Sequence, residues 1–241
     1  MPSIYIIASP IGNLEDISLR ALRILKELAV LYCEDTRVTM KLINHFELGS
    51  KKLISLNKDN EQKRCSEIIA RLSAGEDIGI ISDAGTPLIS DPGSRLVQEV
   101  YQAGHKLVPI PGPSALTSAL SVCPIDCSRF VFEGFLPHGP KQRRRVLKNL
   151  TSETRPLVFF ESPHRILKTL EDIKNIFGAD VNIFLARELT KKFEQHYFGT
   201  VEKIANELET QFPKEVQGEF VLVIGGGSYI DNRVKNAGSA P

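Results

Sequence analysis

The chain has 241 residues, of which 42% are hydrophobic and 24% charged, and its formal net charge at pH 7 is +1. This composition is typical of a soluble globular protein and excludes disordered, collagen-like and coiled-coil chains. No apolar run approaches the roughly 20 residues of a membrane span, and the first residues lack the features of a signal peptide. We therefore expect a cytoplasmic protein whose four cysteines, Cys33, Cys65, Cys123 and Cys127, are reduced packing residues.

The first half of the chain alternates strand and helix patterns. Apolar runs predict strands at 4–7, 28–32, 53–56, 77–82 and 107–110. Helices are predicted between them: one capped by Asp16 or Ser18, one from Asp59 or Asn60 to Gly75, and one from Asp91 to Gly104 with Pro92 at its first position. Alternation of this kind favours a parallel sheet.

The second half repeats the alternation after a break. Periodicity lapses between Cys123 and Pro140, a stretch rich in proline and glycine. The patterns that follow predict a helix at 141–151, a strand at 157–160, a helix opened by Ser162-Pro163, a strand at 181–186, a helix at 201–209 and a strand at 220–224. We predict two α/β domains, 1–117 and 118–227, followed by a flexible tail at 228–241.

Glycine and proline collect directly after the predicted strands. Ser9–Asn13 follows the first strand, Ser82–Gly93 follows the strand at 77–82, and Pro111–Ala115 follows the strand at 107–110. Open α/β sheets bind their ligands at the carboxyl ends of the strands, so these loops are candidate ligand contacts. The glycine patterns of dinucleotide-binding and Walker loops are absent from the sequence, which argues against NAD and ATP.

Seven short motifs resemble, in order and wording, those of the ribosomal RNA small-subunit methyltransferase I family, a branch of the tetrapyrrole methylase superfamily. They are Ser9-Pro10-Ile11-Gly12-Asn13-Leu14, Glu34-Asp35-Thr36-Arg37, Ser82-Asp83-Ala84-Gly85-Thr86-Pro87, Asp91-Pro92-Gly93, Pro111-Gly112-Pro113-Ser114-Ala115, Phe160-Glu161-Ser162-Pro163-His164-Arg165 and Ala186-Arg187-Glu188-Leu189-Thr190-Lys191. The resemblance covers residues 4 to about 226. One departure is Asn57-Lys58-Asp59, where relatives usually carry a His-Glu-His-like run.

The resemblance implies two unlike α/β domains with S-adenosylmethionine in the cleft between them, and 2′-O-methylation of a cytidine ribose in the decoding region of 16S ribosomal RNA. It also implies which residues hold the methyl donor. These are Pro10, Ile11, Gly12, Ser82, Asp83, Ala84, Gly85, Pro87, Ser114, Ala115, Phe160, Ala186, Leu189 and Thr190. Loop amides would orient the methionine end of the donor, and apolar side chains would enclose its adenine.

Carboxylates near strand ends are the candidates for accepting a proton from the hydroxyl that is methylated, although the sequence leaves the base unsettled. The candidate catalytic residues are Glu34, Asp35, Arg37, Glu161 and Glu188, with His164 as a further orienting group. The cations Arg37, Arg165, Arg187 and Lys191 either hold phosphates or offset the charge beside them. Purely structural alternatives stay open: residues 34–37 could begin a helix, Asp91 could cap one, and His164 could be a solvated residue of a first helical turn.

A basic run stands at the start of the helix predicted at 141–151, where positive charge opposes the helix dipole. We interpret Lys141, Arg143, Arg144 and Arg145 as RNA phosphate contacts, with Lys191 extending the patch, although such runs are often only solvated faces. The histidines show no ligand spacing, so we expect no metal. We expect a homodimer that acts on the small ribosomal subunit. The alternatives are an enzyme that methylates a tetrapyrrole or a protein side chain, and a non-enzymatic assembly factor.

Overall fold

The computed structural model describes residues 2–91, 93–212 and 214–226. Pro92, which the sequence predicts at the first position of a helix, and the predicted tail at 228–241 lie outside the described residues. Contacts divide the chain between Ser114 and Ala115 into two compact units, whereas the sequence predicts the boundary after residue 117. None of the helices among the described residues is long and apolar enough to cross a bilayer.

The first unit is a parallel sheet covered by helices. Its strands are β1 (Ser3–Ile7), β2 (Val30–Cys33), β3 (Lys52–Ser55), β4 (Ile78–Ile81) and β5 (Lys106–Ile110), and its helices are α1 (Leu19–Glu27), α2 (Thr36–His45), α3 (Glu61–Ser73) and α4 (Ser94–Gln102). The strand order is β3-β2-β4-β1-β5, with every pair parallel. The carboxyl ends of all five strands therefore share one edge, as expected from the parallel sheet that the sequence predicts.

Helix starts in the first unit follow from local chemistry. Ser18 accepts a hydrogen bond from the Ala21 amide and begins α1, as predicted. Asp35 caps α2 in the same way, so the structural alternative for residues 34–37 is correct as far as the helix is concerned. Helix α4 begins after Gly93, and Asp91 lies two residues earlier. The predicted capping role of Asp91 is therefore wrong, and its carboxyl group is left for another role.

The second unit has a mixed sheet. Its elements are α5 (Ala115–Ser121), β6 (Val131–Phe135), α6 (Pro140–Asn149), β7 (Leu157–Glu161), α7 (Ile166–Phe177), β8 (Asn182–Arg187), β9 (Gln195–Thr200), α8 (Val201–Gln211) and β10 (Phe220–Ile224). The order is β6-β7-β10-β8-β9, and β10 runs antiparallel to both neighbours. The carboxyl ends of β7 and β8 lie at one edge because Phe220 pairs with both Glu161 and Arg187.

The α/β class and the two unlike units agree with the sequence-based expectation, but several elements of the second unit do not. The strand β6 lies inside the stretch at 123–140 for which the sequence predicts no element, and β9 and α5 are likewise unpredicted. The parallel pairing suggested by alternation holds only for β6 and β7 in this sheet. The core of the unit packs around fully buried Phe159 and Leu222 on the central strands.

Candidate functional site

Hydrogen bonds join three loops at the carboxyl edge of the first sheet. Ser9, just after β1, exchanges two backbone hydrogen bonds with Gly85 in the loop after β4, at 2.9 and 3.1 Å. The Ser9 hydroxyl also donates to the Ser82 carbonyl at 3.0 Å. The Thr86 hydroxyl donates to the carbonyl of Pro113, in the loop after β5, at 3.2 Å. The three sequence motifs thus form one connected surface.

Close packing of the loop backbones explains why residue 112 is a glycine. A Cβ atom at Gly112 would lie 3.0 Å from the Cβ of Ala8, so a side chain there would push the loops after β1 and β5 apart. The other predicted donor contacts of the first unit lie on the same loops. Pro10, Ile11 and Gly12 follow Ser9, while Ser82, Asp83, Ala84, Gly85 and Pro87 follow β4, and Ser114 precedes α5.

Three carboxylates with raised pKa values lie beside these loops. Burial raises the pKa of Asp91 to about 6, and the charges of Glu34 and Asp83 add to the effect. Partial burial and the charge of Asp83 raise the pKa of Glu34, whose side chain is exposed to solvent. The pKa of Asp83 is also raised, first by burial, although its Oδ1 accepts a hydrogen bond from the Asp35 amide at 3.0 Å. Groups of like charge held together in this way titrate nearer to neutral pH.

Asp35 and Arg37 behave differently from that cluster. Two nitrogens of the Arg37 side chain donate to the Asp35 carboxylate, and hydrogen bonds from Arg37 lower the pKa of Asp35 to about 2. A carboxylate held this firmly in its ionised form is a poor proton acceptor. Lys58, in the segment that departs from the family pattern, carries a charge that acts on both Glu34 and Asp91. That segment therefore borders the carboxylate cluster.

The loop after β4 is strained where it meets the cluster. Leu88 and Ser90 both adopt positive φ angles, 72° and 68°. Residues other than glycine rarely occupy this region of backbone conformation. A cavity of about 20 Å³, room for about one water molecule, is lined by both Glu34 and Asp91. Strain of this kind is retained mainly where function requires a particular backbone shape.

Glu161, at the end of β7, is buried and fully bonded. Its two oxygens accept hydrogen bonds from the Ser162 amide and the Thr169 hydroxyl at 2.7 Å, and Arg165 forms an ion pair with it at 2.6 Å. The side chain of Glu161 is completely inaccessible to solvent. This arrangement contradicts a proton-accepting role for Glu161. Of the two roles predicted for Arg165, it supports the offsetting of a neighbouring charge and not the binding of a phosphate.

Glu188 and Lys191, after β8, also compensate each other. The Lys191 ammonium donates to Glu188 and to Glu219, both at 2.9 Å. Burial acts most strongly and raises the pKa of Glu188, but the hydrogen bonds from Lys191 and the Glu219 amide, together with the charges of Lys191 and Arg187, outweigh it and leave the pKa below its usual value. Glu188 is therefore poorly suited as a base, and the charge of Lys191 is already balanced, which corrects its interpretation as an RNA contact.

The backbone between Glu188 and Thr190 has the character of a ligand-binding loop. Both residues adopt positive φ, 52° and 66°. The buried hydroxyl of Thr190 has no hydrogen-bond partner among the described residues, which is unusual for a buried polar group. Leu189 between them is buried, as is Ala186 in β8. Three of the predicted donor contacts of the second unit therefore lie on or beside this strained loop. The other two are Ala115, the first residue of α5, and Phe160, which precedes Glu161 in β7.

The remaining candidates in the second unit are divided between buried and exposed positions. Arg187 is buried and donates to the backbone carbonyls of Gln217 and Phe193 at 2.6 and 3.2 Å, so it is not available as a phosphate contact. His164 is exposed and lies 3.0 Å from the Glu215 carboxylate. No group of three or more possible metal ligands occurs among the residues that the structure describes.

The basic run on α6 is split by burial. Arg143 is 4% exposed and shares the buried Asp172 carboxylate with Arg144, each at 2.7 Å. Arg143 therefore stabilises the packing of α6 on α7 and does not contact RNA, which corrects its prediction. The exposed cations of α6 lie at helical spacing on one face and are Lys141, Arg144, Arg145 and Lys148. The charge run alone does not reveal this split, because Asp172 is 29 residues away.

Comparisons with known proteins agree on a methylase. The family model described as Tetrapyrrole (Corrin/Porphyrin) Methylases matches residues 3–205. A protein of Thermotoga maritima named "Ribosomal RNA small subunit methyltransferase I" is 47% identical over 226 residues, which cover 94% of this chain and 99% of that relative.

Solved structures share the fold at low sequence identity. A diphthine synthase superposes with a TM-score of 0.70 at 15% identity, covering 92% of this chain and 90% of the other. A uroporphyrin-III C-methyl transferase from Thermus thermophilus, complexed with S-adenyl homocysteine, has a TM-score of 0.62 at 16% identity and covers 92% and 97% of the two chains. These similarities extend over almost the whole of the described chain.

Proposed function

Because the chain belongs to the tetrapyrrole methylase family, and within it to the ribosomal RNA small subunit methyltransferase I proteins, we propose that it methylates ribosomal RNA with S-adenosylmethionine as donor. The acceptor that we propose is the 2′-oxygen of a cytidine ribose in the decoding region of 16S RNA, acted on in the cytoplasm within the small subunit. The proposal that a ribose oxygen is methylated rests on the sequence motifs. The donor site does not decide it, because methylation of a ribose oxygen and of a base nitrogen need similar donor sites.

The observation that carries the proposal is the joined loop surface beside a cluster of carboxylates at one edge of the first sheet. Ligands of open α/β sheets bind at this edge. The close approach at Gly112 suits a ligand held by backbone groups, and so does the hydroxyl of Thr190, which has no hydrogen-bond partner in the part of the chain that the structure describes. We therefore propose as donor contacts Asp83 with its loop, residues 10–12 and Ser114, and in the second unit Ala115, Phe160, Ala186, Leu189 and Thr190.

Methyl transfer to a hydroxyl requires positioning and the removal of one proton. S-adenosylmethionine supplies, when bound, a methyl group activated by its sulfonium. Orientation of the donor and the acceptor by the loops lowers the activation barrier by several kcal/mol. As the oxygen gains the methyl group it loses its proton, and we propose that the Glu34 carboxylate accepts it, directly or through water. Glu34 combines solvent exposure with a raised pKa, whereas Asp35, Glu161 and Glu188 are each held by a cation.

The exposed cations of α6 support an RNA substrate. Lys141, Arg144, Arg145 and Lys148 form a positive face on a chain whose net charge is only +1. Such a face binds phosphates locally and gives little general attraction to nucleic acid, which suits a substrate of defined shape. We also propose that the protein acts as a homodimer, and sedimentation that detects only monomer at micromolar concentration would contradict this.

Transfer of labelled methyl from S-adenosylmethionine to small ribosomal subunits that lack the modification tests the proposal. Nuclease digestion of the product then locates the label. We expect it on a ribose 2′-oxygen of cytidine, and we expect Glu34→Gln to transfer much less. Label on a base or on a ribosomal protein would contradict the proposed acceptor. Donor binding without transfer to RNA would point to a small molecule or a protein as substrate.

A further inference from the structure

Three of the four strands at sheet edges are protected against pairing with another chain. The outer strands are β3 and β5 in the first sheet and β6 and β9 in the second. Edge strands expose unpaired backbone groups, and proteins protect them with lysine, proline, bulges or short length. β3 has four residues and begins with Lys52, while β5 contains Lys106 and Pro109. β6 carries a bulge between Phe132 and Gly134.

Strand β9 has none of these features. Its six residues, QHYFGT, include no proline, lysine or other permanently charged residue. All six pair with β8 in an unbroken antiparallel register. Among the edge strands that the structure describes, β9 alone therefore offers a long, regular edge to a further strand.

The register of β9 shows which of its backbone groups are unpaired. The Val201 amide donates to the Val181 carbonyl at 2.9 Å, in continuation of the register between β8 and β9. Hydrogen-bonded pairs alternate along an antiparallel ladder, so the odd-numbered residues of β9 bond to β8. The backbone amides and carbonyls of His196 and Phe198 therefore point away from β8, and no strand in the described part of the chain pairs with them.

A groove adjoins this edge. It has a volume of about 620 Å³, within the usual range of ligand sites, and is lined by the first half of β9 and the last turns of α8. The Tyr197 hydroxyl forms hydrogen bonds with the side chains of Gln195 and Gln211 at 2.9 and 2.6 Å. These bonds fix the strand wall of the groove to its helix wall.

The charge of the groove is negative. Glu207 lines it and is exposed, and this carboxylate has no ion-pair partner among the described residues. Its described lining residues include no lysine or arginine. RNA phosphates would therefore be repelled, whereas a basic side chain would be attracted to Glu207. The charge favours a basic peptide over nucleic acid.

We propose that β9 and α8 form a docking site for an extended, basic peptide segment of another protein, which adds to the second sheet as a further strand. Strand addition of this kind gains affinity from main-chain hydrogen bonds and specificity from alternate side chains. His196 and Phe198 supply two backbone donors and two acceptors, and Glu207 pairs with a basic side chain. A second copy of this chain fits less well, because its own β9 has no lysine or arginine to place against Glu207. The inference goes beyond the proposed function, since it does not depend on methyl transfer.

N-methylated peptides test the backbone contacts on the full wild-type chain. The probe is a fluorescein-labelled peptide of six alternating lysines and valines, and its binding is followed by anisotropy. Two further versions carry methyl groups on the amides of either the lysines or the valines. Only one set of amides can face β9, so we expect one version to bind roughly tenfold more weakly and the other to bind within about threefold of the unmethylated peptide. Equal affinity of the two methylated versions, or no binding of the unmethylated peptide, would overturn the proposal.

A proline in β9 tests the same contacts from the protein side. His196→Pro removes an outward-facing amide proton, a change that edge strands tolerate, whereas His196→Ala removes the ring and keeps the amide. We expect His196→Pro to weaken peptide binding roughly tenfold and His196→Ala to stay within about threefold of the wild type. Equal affinities of the two folded variants would contradict strand addition. If the proline variant does not fold, the methylated peptides decide the question.

The charge of the groove is tested with Glu207→Gln, for which Glu209→Gln is the matched control, since Glu209 is exposed on α8 but does not line the groove. We expect Glu207→Gln to weaken binding of the lysine peptide by about threefold and to leave binding of a threonine-valine peptide unchanged. The control should bind both peptides as the wild type does. Equal effects of the two variants would contradict the role of Glu207.

Two other occupants have distinct signatures. If the peptide does not bind and His196→Pro dissociates a dimer in sedimentation, a second copy covers the edge and the proposal is wrong. If the peptide does not bind and a labelled single-stranded oligoribonucleotide binds more tightly to Glu207→Gln than to Glu209→Gln, the groove takes RNA and the proposal is equally wrong.

Discussion

The carboxylates that follow strands in the first unit differ from those that follow strands in the second. Glu34, after β2, has a raised pKa and faces solvent. Glu161 and Glu188, which end β7 and follow β8, are bonded to Arg165 and Lys191. An acidic residue after a strand thus has two outcomes, and the presence of a cation within hydrogen-bond distance decides between them.

The same contrast applies to the positive charges. In the second unit, the inward-facing Arg143 and Arg165 are paired with carboxylates, whereas the other cations of α6 are exposed to solvent. The first unit concentrates uncompensated carboxylates at its loops. On this basis we assign proton removal to the first unit and RNA contact to the second, and the following substitutions test that assignment from the largest expected effect to the smallest.

Glu34→Gln should lower kcat for methyl transfer by about 10²- to 10⁴-fold, the usual contribution of a general base. Affinity for S-adenosylmethionine, measured by calorimetry, should stay the same. In the wild type the rate should rise as pH increases above the ordinary range of a glutamate, because the pKa of Glu34 is raised, and the variant should lose that rise. An unchanged kcat in Glu34→Gln would transfer the role to another group of the cluster.

Arg143→Ala and Arg144→Ala are neighbours in sequence with different expected effects. Arg143→Ala leaves a buried carboxylate with one partner fewer, and we expect it to lower the free energy of unfolding by about 3–5 kcal/mol in denaturant titrations. Arg144→Ala should instead weaken RNA binding and reduce the salt slope by about 1, with a smaller loss of stability. Equal losses of stability in the two variants would contradict the division of the basic run.

Asp91→Asn should stabilise the protein in a manner that depends on pH. Below the ordinary pKa of 3.8 the carboxyl group is protonated in the folded and unfolded chains alike, so it has no cost. As pH rises through about 6, the folded chain takes up a poorly solvated charge, and stability is lost. The variant lacks this charge, so its thermal midpoint should exceed that of the wild type by about 2–4 °C at pH 8 and by less at pH 5.

The control for this comparison is Asp180→Asn, which removes an exposed carboxyl group of the second unit. The gain in thermal midpoint between pH 5 and pH 8 should be larger for Asp91→Asn than for this control. A gain in Asp91→Asn that is larger at pH 5 than at pH 8 would show that the pKa of Asp91 is not raised.

Local signals predicted much of the fold. Apolar runs located the parallel strands of the first unit, and β10 has the bounds that the sequence predicts. Strand β9, with the sequence QHYFGT, lies at the edge of its sheet. An edge strand needs fewer apolar residues than a central strand, so the apolar pattern of β9 is weak. Strand β6 was hidden because its bulge interrupts the alternation by which strands are recognised.

The sequence predicts which loops form the candidate site. It predicts less well which charged residues of the site are free to act. Glycine and proline after the strands identified the joined surface. The partners that decide whether a charge is available come from distant parts of the chain, as Asp172 does for Arg143 and Glu219 does for Lys191. The sequence does not predict the place of Asp91 in the carboxylate cluster, because an aspartate just before a helix commonly caps that helix.

The most direct test of the account is to measure donor and RNA affinity separately in two variants of the full chain. One is Asp83→Ala, and the other replaces Lys141, Arg145 and Lys148 by alanine. Calorimetry with S-adenosylmethionine and anisotropy with labelled RNA should show that the first variant loses donor binding and keeps RNA binding, and that the second does the reverse. If either variant lost both affinities while remaining folded, the assignment of donor and RNA binding to separate groups of residues would be contradicted.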